Sequence, residues 1–350
     1  MIRTDDLRIV QTQPLITPSV LCAELPHTDQ DALLISRTRR AVELILRGGD
    51  PRLLCIVGPC SIHDPQAAID YAQRLRDATT HLGDALLIVL RVYFEKPRTV
   101  VGWKGLINDP DLDGSFHINK GLHLARQVLL EVARLGLPAA TEFLDTTFGQ
   151  YYADLVSFGA IGARTVESQV HRELASGLSM PVGIKNRTDG DVRVAIDAIR
   201  AAAHPHWFPS LTKEGSAAIL RSSGNEHCYL ILRGGTASGP NHDAHAVNAA
   251  LRLLGDASLP ETLIVDCSHG NSAKNPARQL VVANDIAIQI EAGQQGIRGV
   301  MIESHLVGGA QALGPRETLR YGQSVTDACL SLDETLPLLE RLARAVRAAR

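Results

Sequence analysis

The chain has 350 residues, and 35 Lys and Arg against 38 Asp and Glu give it a formal net charge of −3. A near-neutral chain lacks the basic surface that nucleic-acid binding requires, and 45% hydrophobic against 21% charged residues exclude a disordered chain. Residues 1–7 show no secretory signal, and no uncharged apolar run approaches the ~18 residues of a membrane span. We therefore expect a globular cytoplasmic protein without nucleic-acid or membrane partners.

The N-terminal segment and the first helix come first in chain order. Residues 1–26 carry three prolines and no clear periodicity, which predicts an extended arm. Thr28 and Asp29 can cap a helix that runs to about Arg47, where two glycines stop it. We expect residues 1–48, the arm and its helix, to serve assembly or regulation.

From residue 49 onward, short apolar segments typical of buried parallel strands alternate with helix-like segments. The predicted strands span residues 53–59, 86–92, 138–143, 160–164, 181–186, 228–233, 263–268 and 298–303. Eight strands with intervening helices favour an α/β fold, a closed (β/α)8 TIM barrel over residues 49–350. Residues 206–224 do not fit the alternation and predict an inserted β-hairpin that turns at Glu214 and Gly215.

Polar or ionisable residues stand where the predicted strands end. In a TIM barrel, the face at which the strands end carries the active site. These residues are Cys60, Arg91, Glu142, Arg164, Lys185, Arg233, His269 and Glu303. Four of them are cations, and Lys96 and Arg98 lie nearby in sequence. Such a set indicates a strongly anionic substrate, which could carry two phosphates, although any single Arg could instead form a salt bridge at the rim.

A second group of strand-end residues could bind a metal. Cys60, His269, Glu303 and Asp327 offer one thiolate, one imidazole and two carboxylates. Such a mixed set suits Mn²⁺, Fe²⁺, Co²⁺ or Zn²⁺ rather than Mg²⁺. The alternative is that Cys60 is a small buried residue and His269 a satisfied polar one. No phosphate-binding Gly-x-x-x-x-Gly-Lys loop and no Gly-x-Gly-x-x-Gly motif occurs, so an ATPase or a nucleotide-dependent oxidoreductase has no support.

Several of these residues lie in longer segments that resemble the class I (microbial) 3-deoxy-D-arabino-heptulosonate 7-phosphate (DAHP) synthases. The segments are 58–64 (GPCSIHD), 91–99 (RVYFEKPRT), 101–106 (VGWKGL), 159–165 (GAIGART), 232–235 (LRGG) and 302–305 (IESH). The resemblance covers nearly the whole chain. It implies the condensation of phosphoenolpyruvate with erythrose 4-phosphate and water, which yields DAHP and phosphate at the first step of the shikimate pathway.

The resemblance also implies roles for single residues. Phosphoenolpyruvate is expected to bind to Arg91, Lys96, Glu142, Arg164, Lys185 and Arg233, with Arg164 and Arg233 on its phosphate and Arg91 and Lys185 on its carboxylate. Erythrose 4-phosphate is expected at Lys96, Pro97, Arg98, Thr99 and Asp327. A divalent metal is expected at Cys60, His269, Glu303 and Asp327. Lys96 is the preferred proton donor, beside Cys60 and His269 as catalytic residues. Arg187 stands where the family usually has Gly, so it either adds a cation or faces solvent.

Family members with this arm and hairpin are inhibited by an aromatic amino acid. Residues 141–145 (TEFLD) with Gly149 look more like the tryptophan-sensitive isoenzymes than the phenylalanine-sensitive ones, which carry Pro at this position. Tryptophan is therefore the expected effector, with tyrosine as the alternative. The expected effector residues are Asp6, Gly149, Ser179, Phe208, Ser210 and Leu220. A homo-oligomer, either dimer or tetramer, is also implied.

Two other functions stay open at this point. One is a related metal-dependent barrel enzyme that condenses phosphoenolpyruvate with another phosphosugar, against which residues 96–99 argue. The other is a catalytically silent phosphate-binding homologue, which would lack a metal ligand or a cation that this sequence retains.

Overall fold

The computed structural model describes residues 2–350, and its centre is a barrel of eight parallel strands. In chain order the strands are β1 (Leu53–Gly58), β2 (Leu86–Arg91), β3 (Ala139–Glu142), β4 (Phe158–Ile161), β5 (Val182–Lys185), β6 (Trp207–Leu211), β7 (Ala217–Arg221), β8 (Cys228–Leu232), β9 (Leu263–Asp266), β10 (Ile297–His305), β11 (Val307–Ala310), β12 (Gln323–Ser324) and β13 (Leu330–Ser331). The sheet closes because β1 pairs in parallel with both β2 and β10. The predicted TIM barrel is therefore confirmed.

Helices surround the barrel and follow its strands. They are α1 (Pro18–Glu24), α2 (Asp29–Leu46), α3 (Pro65–Thr79), α4 (Ile118–Arg134), α5 (Gly149–Tyr152), α6 (Gln169–Gly177), α7 (Arg193–Ala202), α8 (Ala244–Asp256), α9 (Arg278–Glu291) and α10 (Leu332–Ala348). Among residues 2–350, no helix combines the length and apolarity needed to cross a membrane.

Alternate residues of each strand face the inside of the barrel. Leu54 and Ile56 of β1 belong to the inner apolar cluster, whereas Leu53, Cys55 and Val57 belong to the layer between strands and helices. Val42, Ile45 and Leu46 near the end of α2 join the inner cluster, so this helix closes the bottom of the barrel. Each such buried aliphatic side chain contributes about 1.5–3 kcal/mol to folding. The opposite end, where the strands finish, is left open for a site.

The first helix of the barrel scaffold begins as predicted. The hydroxyl of Thr28 accepts from the amide of Asp31, and the carboxylate of Asp31 accepts from the amide of Thr28. This reciprocal capping box satisfies two of the amides that a helix start leaves free. The predicted hairpin is also confirmed, since β6 and β7 pair antiparallel around the turn at Glu214 and Gly215.

Two boundaries predicted from the sequence are wrong. The arm is not extended throughout, because α1 starts at Pro18, where the fixed φ of proline suits a first helical position. The strand predicted at 160–164 runs from Phe158 to Ile161 instead, in register with β3 and β5. Arg164 consequently lies three residues beyond its strand, in the loop.

Candidate active site

A cavity of about 470 Å³ opens at the ends of the barrel strands. Most of the residues predicted to act on substrate or metal line it, namely Lys96, Pro97, Arg98, Thr99, Glu142, Arg164, Lys185, Arg233, His269 and Asp327. Three predicted residues do not line it: Cys60, Arg91 and Glu303 are buried beneath its floor. The barrel thus brings together residues that lie far apart in the chain.

The period of the strands explains why these side chains converge. Arg91, Glu142 and Glu303 each stand two residues after an inward-facing apolar residue of the same strand, and Arg233, directly after β8, stands two residues after Ile231. Side chains of a strand alternate between its faces, so the residue two positions further points into the barrel as well. The site is therefore the uppermost inward layer of the barrel, with polar side chains above an apolar interior.

The cavity wall carries an excess of positive charge. Lys96, Arg98, Arg164, Lys185, Arg233 and a residue that the sequence reasoning missed, Lys274, all line it, against the carboxylates of Glu142 and Asp327. Arg233 is buried, and burial lowers its pKa while the charge of Arg164 lowers it further. A guanidinium in this position is stabilised by an anion that enters the cavity.

One wall of the cavity is the loop that follows β2. The amide of Lys96 donates to the carbonyl of Lys104 at 2.9 Å, which closes the base of the loop. Gly105 is required there, since its φ is +115° and a Cβ would lie 2.0 Å from the carbonyl oxygen of Phe94. This closure places residues 97–99 on the cavity wall beside the exposed Arg164.

The predicted metal ligands meet below and beside the cavity floor. One ligand atom each from Cys60, Glu303 and Asp327 lies within 4.8 Å of the other two. The register of β1 with β10 sets Gly58 opposite Glu303 and so brings Cys60 close to that carboxylate. His269 lies at the same place, with Nε2 3.7 Å from Oε1 of Glu303. A sulfur, an imidazole nitrogen and two carboxylates fit a divalent transition metal.

The charges around the cluster favour anionic carboxylates and a protonated lysine. Burial disfavours ionisation of Glu303, but His269 and Arg91 outweigh it and lower the pKa of this carboxyl group. The ammonium of Lys96 donates to Sγ of Cys60 at 3.2 Å. Burial opposes its charge as well, yet Cys60 and Glu303 together raise the pKa of Lys96. Lys96 is therefore held as a proton-carrying group between the cluster and the cavity.

Arg91 is fixed from several sides beneath the floor. It donates to the carbonyl of Pro59 at 3.0 Å and to Oε1 of Glu303 at 2.9 Å, and its guanidinium stacks on the ring of Tyr93 at 3.6 Å. Nη1 is buried and has no hydrogen-bond partner within the described residues. The guanidinium therefore holds Glu303 together with the backbone carbonyls of Pro59 and Cys60, the latter at 3.3 Å, and Nη1 is left without a partner.

Asp266 is a buried residue of the site that the sequence reasoning missed. It ends β9 and accepts from the ammonium of Lys185 at 2.8 Å, and Nδ1 of His269 lies 2.9 Å from the same carboxylate oxygen. Burial disfavours its charge, but His269 and Lys185 outweigh burial and hold the pKa of Asp266 well below its usual range. A signal was available, because Asp266 stands two residues after the inward-facing Ile264.

Arg187 does not add a cation to the cavity. Its guanidinium pairs with the carboxylates of Asp189 and Glu167, and it is absent from the cavity wall. Arg187 is therefore accommodated by ion pairs outside the cavity.

A second and larger cavity, of about 810 Å³, lies among α2, α5, α6 and the hairpin. Five of the six residues expected to bind an effector line it: Gly149, Ser179, Phe208, Ser210 and Leu220. The sixth, Asp6, is exposed on the arm and does not line the cavity of its own chain.

Comparison with known proteins gives one consistent result. Residues 30–340 match the family described as the DAHP synthetase I family. The chain is 54% identical to the Phe-sensitive phospho-2-dehydro-3-deoxyheptonate aldolase of Escherichia coli strain K12, over 99% of each chain. It is 53% identical to the Trp-sensitive enzyme of the same strain, again over 99% of each. A solved structure of this aldolase from Francisella tularensis SCHU S4 matches with a TM-score of 0.95 and 50% identity, covering 97% of this chain and 99% of the other.

Proposed function

Since the chain belongs to the DAHP synthetase I family, we propose that its barrel mouth joins phosphoenolpyruvate to erythrose 4-phosphate. Carbon–carbon bond formation takes place between C3 of phosphoenolpyruvate and the aldehyde carbon of the sugar. Water adds at C2, and cleavage of the C–O bond releases phosphate. The chain is thus an enzyme, a DAHP synthase, which catalyses the first step of the shikimate pathway.

The cationic wall supports the binding of two phosphorylated substrates. Arg164 and Arg233 are assigned to the phosphate of phosphoenolpyruvate, and Lys185 with the free amino group of Arg91 to its carboxylate. Arg98 and Thr99 are assigned to the phosphate of the sugar. Guanidinium groups bind phosphate and carboxylate in a bidentate manner, and a fixed set of cations orients two substrates for one bond.

Cys60, His269, Glu303 and Asp327 are assigned to the divalent metal, which when bound supplies a Lewis acid that polarises the sugar aldehyde. The identity of the ion is proposed as Mn²⁺, Fe²⁺, Co²⁺ or Zn²⁺ from the donor set. Lys96 is assigned as the proton donor to the developing alkoxide, because its ammonium stays charged beside the cluster and also lines the cavity. Six free cysteines favour a reducing compartment, the cytoplasm.

The observation that carries this proposal is the convergence of cavity cations with the Cys60, Glu303 and Asp327 cluster. It is tested by measuring phosphate release from phosphoenolpyruvate with and without erythrose 4-phosphate, before and after chelation and metal addition. Release that requires both substrates and the metal is expected. Release with a different aldose phosphate alone indicates another condensing enzyme, and no release with Mn²⁺, Fe²⁺, Co²⁺ or Zn²⁺ indicates a silent homologue.

The larger cavity supports feedback inhibition by an aromatic amino acid, for which we propose tryptophan, with tyrosine as the alternative. Overall identity does not select the effector, since it is 54% to a Phe-sensitive and 53% to a Trp-sensitive relative. The support is local. Gly149 starts α5, and a Cβ there would lie 3.2 Å from the ring of Phe143, so glycine leaves both the wall and this ring undisturbed.

Inhibition curves with phenylalanine, tyrosine and tryptophan test the choice of effector, and Gly149→Pro is the informative variant. Proline keeps a helical φ at residue 149 but disfavours the helical ψ of −24° at Phe148, so the start of α5 and the cavity wall beside it are expected to move. We expect tryptophan to inhibit the wild type most strongly and to lose most of this advantage in the variant. Stronger inhibition of the wild type by phenylalanine would contradict the assignment.

We also propose a homo-oligomer, a dimer or a tetramer, in which the arm contacts another copy. Ile2, Leu7, Ile9 and Val10 of the arm are all exposed, which is costly for apolar side chains in water. Because Asp6 does not reach the cavity of its own chain, its expected effector contact requires the arm of a second copy. Removal of residues 1–12 is expected to abolish inhibition while phosphate release persists; loss of both would contradict this role.

A further inference from the structure

Asp266 is a buried carboxylate that contacts both Lys185, which is assigned to phosphoenolpyruvate, and His269, which is assigned to the metal. It has no exposed surface, and its Oδ2 atom takes both the ammonium of Lys185 at 2.8 Å and Nδ1 of His269 at 2.9 Å. Its other oxygen, Oδ1, accepts from the amide of Ser268 at 3.0 Å and from the hydroxyl at 2.6 Å. Ser268 therefore fixes the Oδ1 side of Asp266, and Lys185 and His269 share its Oδ2 atom.

The contact to His269 sets which ring nitrogen is available. Nδ1 of His269 lies 2.7 Å from the hydroxyl of Ser268, which donates its own proton to Asp266, and 2.9 Å from Oδ2 of Asp266. Both oxygens can only accept from the ring, so Nδ1 carries the proton and Nε2 presents its lone pair. Nε2 is the atom that faces Glu303. The backbone of His269 has a φ of +54°, a conformation that side chains rarely adopt without support from their surroundings. Asp266 provides part of that support.

The second contact of Asp266 is to Lys185, whose ammonium it binds before substrate enters the cavity. Lys185 is buried and lines the cavity, and within residues 2–350 its one hydrogen-bonding side-chain partner is Asp266. An anion that draws Lys185 toward the cavity weakens its bond to Oδ2. The same oxygen is then a better acceptor for Nδ1 of His269, which strengthens the imidazole as a ligand.

We propose that Asp266 is a positioning residue that couples the two binding events: phosphoenolpyruvate at Lys185 tightens metal binding at His269. Linkage requires that the metal tightens phosphoenolpyruvate binding by the same factor. Asp266 does not line the cavity, so it acts through its two neighbours rather than on substrate. This inference rests on the proposed function for the identity of the anion.

The coupling is measured on the full-length protein by binding, without turnover. Free Mn²⁺ is followed by electron paramagnetic resonance in a titration with and without phosphoenolpyruvate, and the Mn²⁺ that phosphoenolpyruvate binds in buffer alone is subtracted. Phosphoenolpyruvate binding is measured calorimetrically with and without Mn²⁺. For the wild type, each ligand is expected to tighten the other by about 5–150-fold, with equal factors in the two directions.

Asp266→Asn is the central variant. An amide that donates to Nδ1 reverses the tautomer of His269, and it no longer offers a charged oxygen to Lys185. We expect Mn²⁺ affinity to fall about 10–100-fold and the coupling factor to approach one. Asp285→Asn is the matched control, because Asp285 also pairs with a histidine, Nδ1 of His242 at 2.7 Å, and neither residue lines the catalytic cavity.

Ser268→Ala covers the case in which Asp266→Asn fails to fold. It removes the hydroxyl that donates to Oδ1 of Asp266 and contacts Nδ1 of His269 at 2.7 Å, and it leaves the charge of Asp266 in place, so a smaller fall of the coupling factor is expected. A coupling factor of one in the wild type overturns the inference. An unchanged coupling factor in folded Asp266→Asn overturns it as well. If Asp266→Asn does not fold, an unchanged coupling factor in Ser268→Ala has the same meaning. Failure of the wild type to bind phosphoenolpyruvate would instead overturn the proposed function together with this inference, whereas turnover without coupling would overturn the inference alone.

Discussion

Replacement of Gly162 by alanine tests whether the position of the Glu142 carboxylate matters for the reaction. Gly162 follows β4 and faces Glu142 across the cavity wall. A Cβ at Gly162 would lie 2.2 Å from Oε1 of Glu142, whereas ordinary contacts begin at 3.4 Å. Glu142 must therefore retreat by more than 1 Å. No positive φ is involved, so the effect comes from the added methyl group alone.

The expected effect on activity is much larger than the effect on stability. Oε1 of Glu142 has no hydrogen-bond partner in the described part of the chain, so no such bond of this atom is lost when the carboxylate moves. The cost to folding is that of a side chain forced off its preferred rotamer, about 0.5–1.5 kcal/mol. A displacement of about 1 Å within a reactive arrangement reduces kcat/KM by about 100-fold.

Steady-state phosphate release with varied phosphoenolpyruvate measures the activity, and thermal unfolding measures the stability. Gly83→Ala is the matched control, since Gly83 is exposed and a Cβ there would have one ordinary contact, 3.5 Å from a carbonyl oxygen. The expected loss of kcat/KM is about a hundredfold. If kcat/KM of Gly162→Ala stays within about threefold of wild type, the expected contact of Glu142 with phosphoenolpyruvate is refuted.

Three further predictions concern stability and metal. Glu95 is 3% exposed, and burial with the nearby Asp145 raises its pKa to about 8. Because the folded state then binds the extra proton between about pH 4.5 and 8, stability falls as pH rises through this range. In urea unfolding at a series of pH values, the free energy of unfolding of Glu95→Gln is expected to fall less steeply with pH than that of the wild type. Parallel pH curves for the two proteins would contradict this prediction. Arg126→Met is expected to lower the free energy of unfolding by about 3–5 kcal/mol, since the buried guanidinium binds Asp154 at 2.8 and 2.9 Å; a loss below about 1 kcal/mol would contradict it. Chelation is expected to abolish phosphate release with the fold retained by circular dichroism, and full activity in chelator would contradict the metal assignment.

Several features of the site could be predicted because the signals are local in sequence. A run of apolar residues that ends in Arg91, Glu142 or Lys185 identifies a buried strand and the polar residue at its end. In a barrel, all such ends meet at one face. The metal ligands needed the further assumption of closure, because Cys60 and Glu303 become neighbours only through the pairing of β1 with β10.

Other features could not be predicted because they depend on neighbours distant in the chain. Arg91 was assigned to substrate alone, yet it holds Glu303 from beneath the floor, a contact across 212 positions. Lys274 stands in an irregular loop whose conformation has no repeat to identify it, with a φ of +60°. Asp6 was expected at the effector cavity, and only the folded chain shows that its own arm does not reach that wall.

The sequence by itself determined the alternation of strands and helices, the capped first helix, the inserted hairpin and the chemical types at the strand ends. These features follow from backbone propensities and from the burial of apolar side chains, which act over a few residues at a time. Only the tertiary structure decided which oxygen faces which nitrogen. Barrel closure and strand register set Asp266 between Lys185 and His269, and those distances are fixed by packing of the whole ring of strands rather than by any one segment.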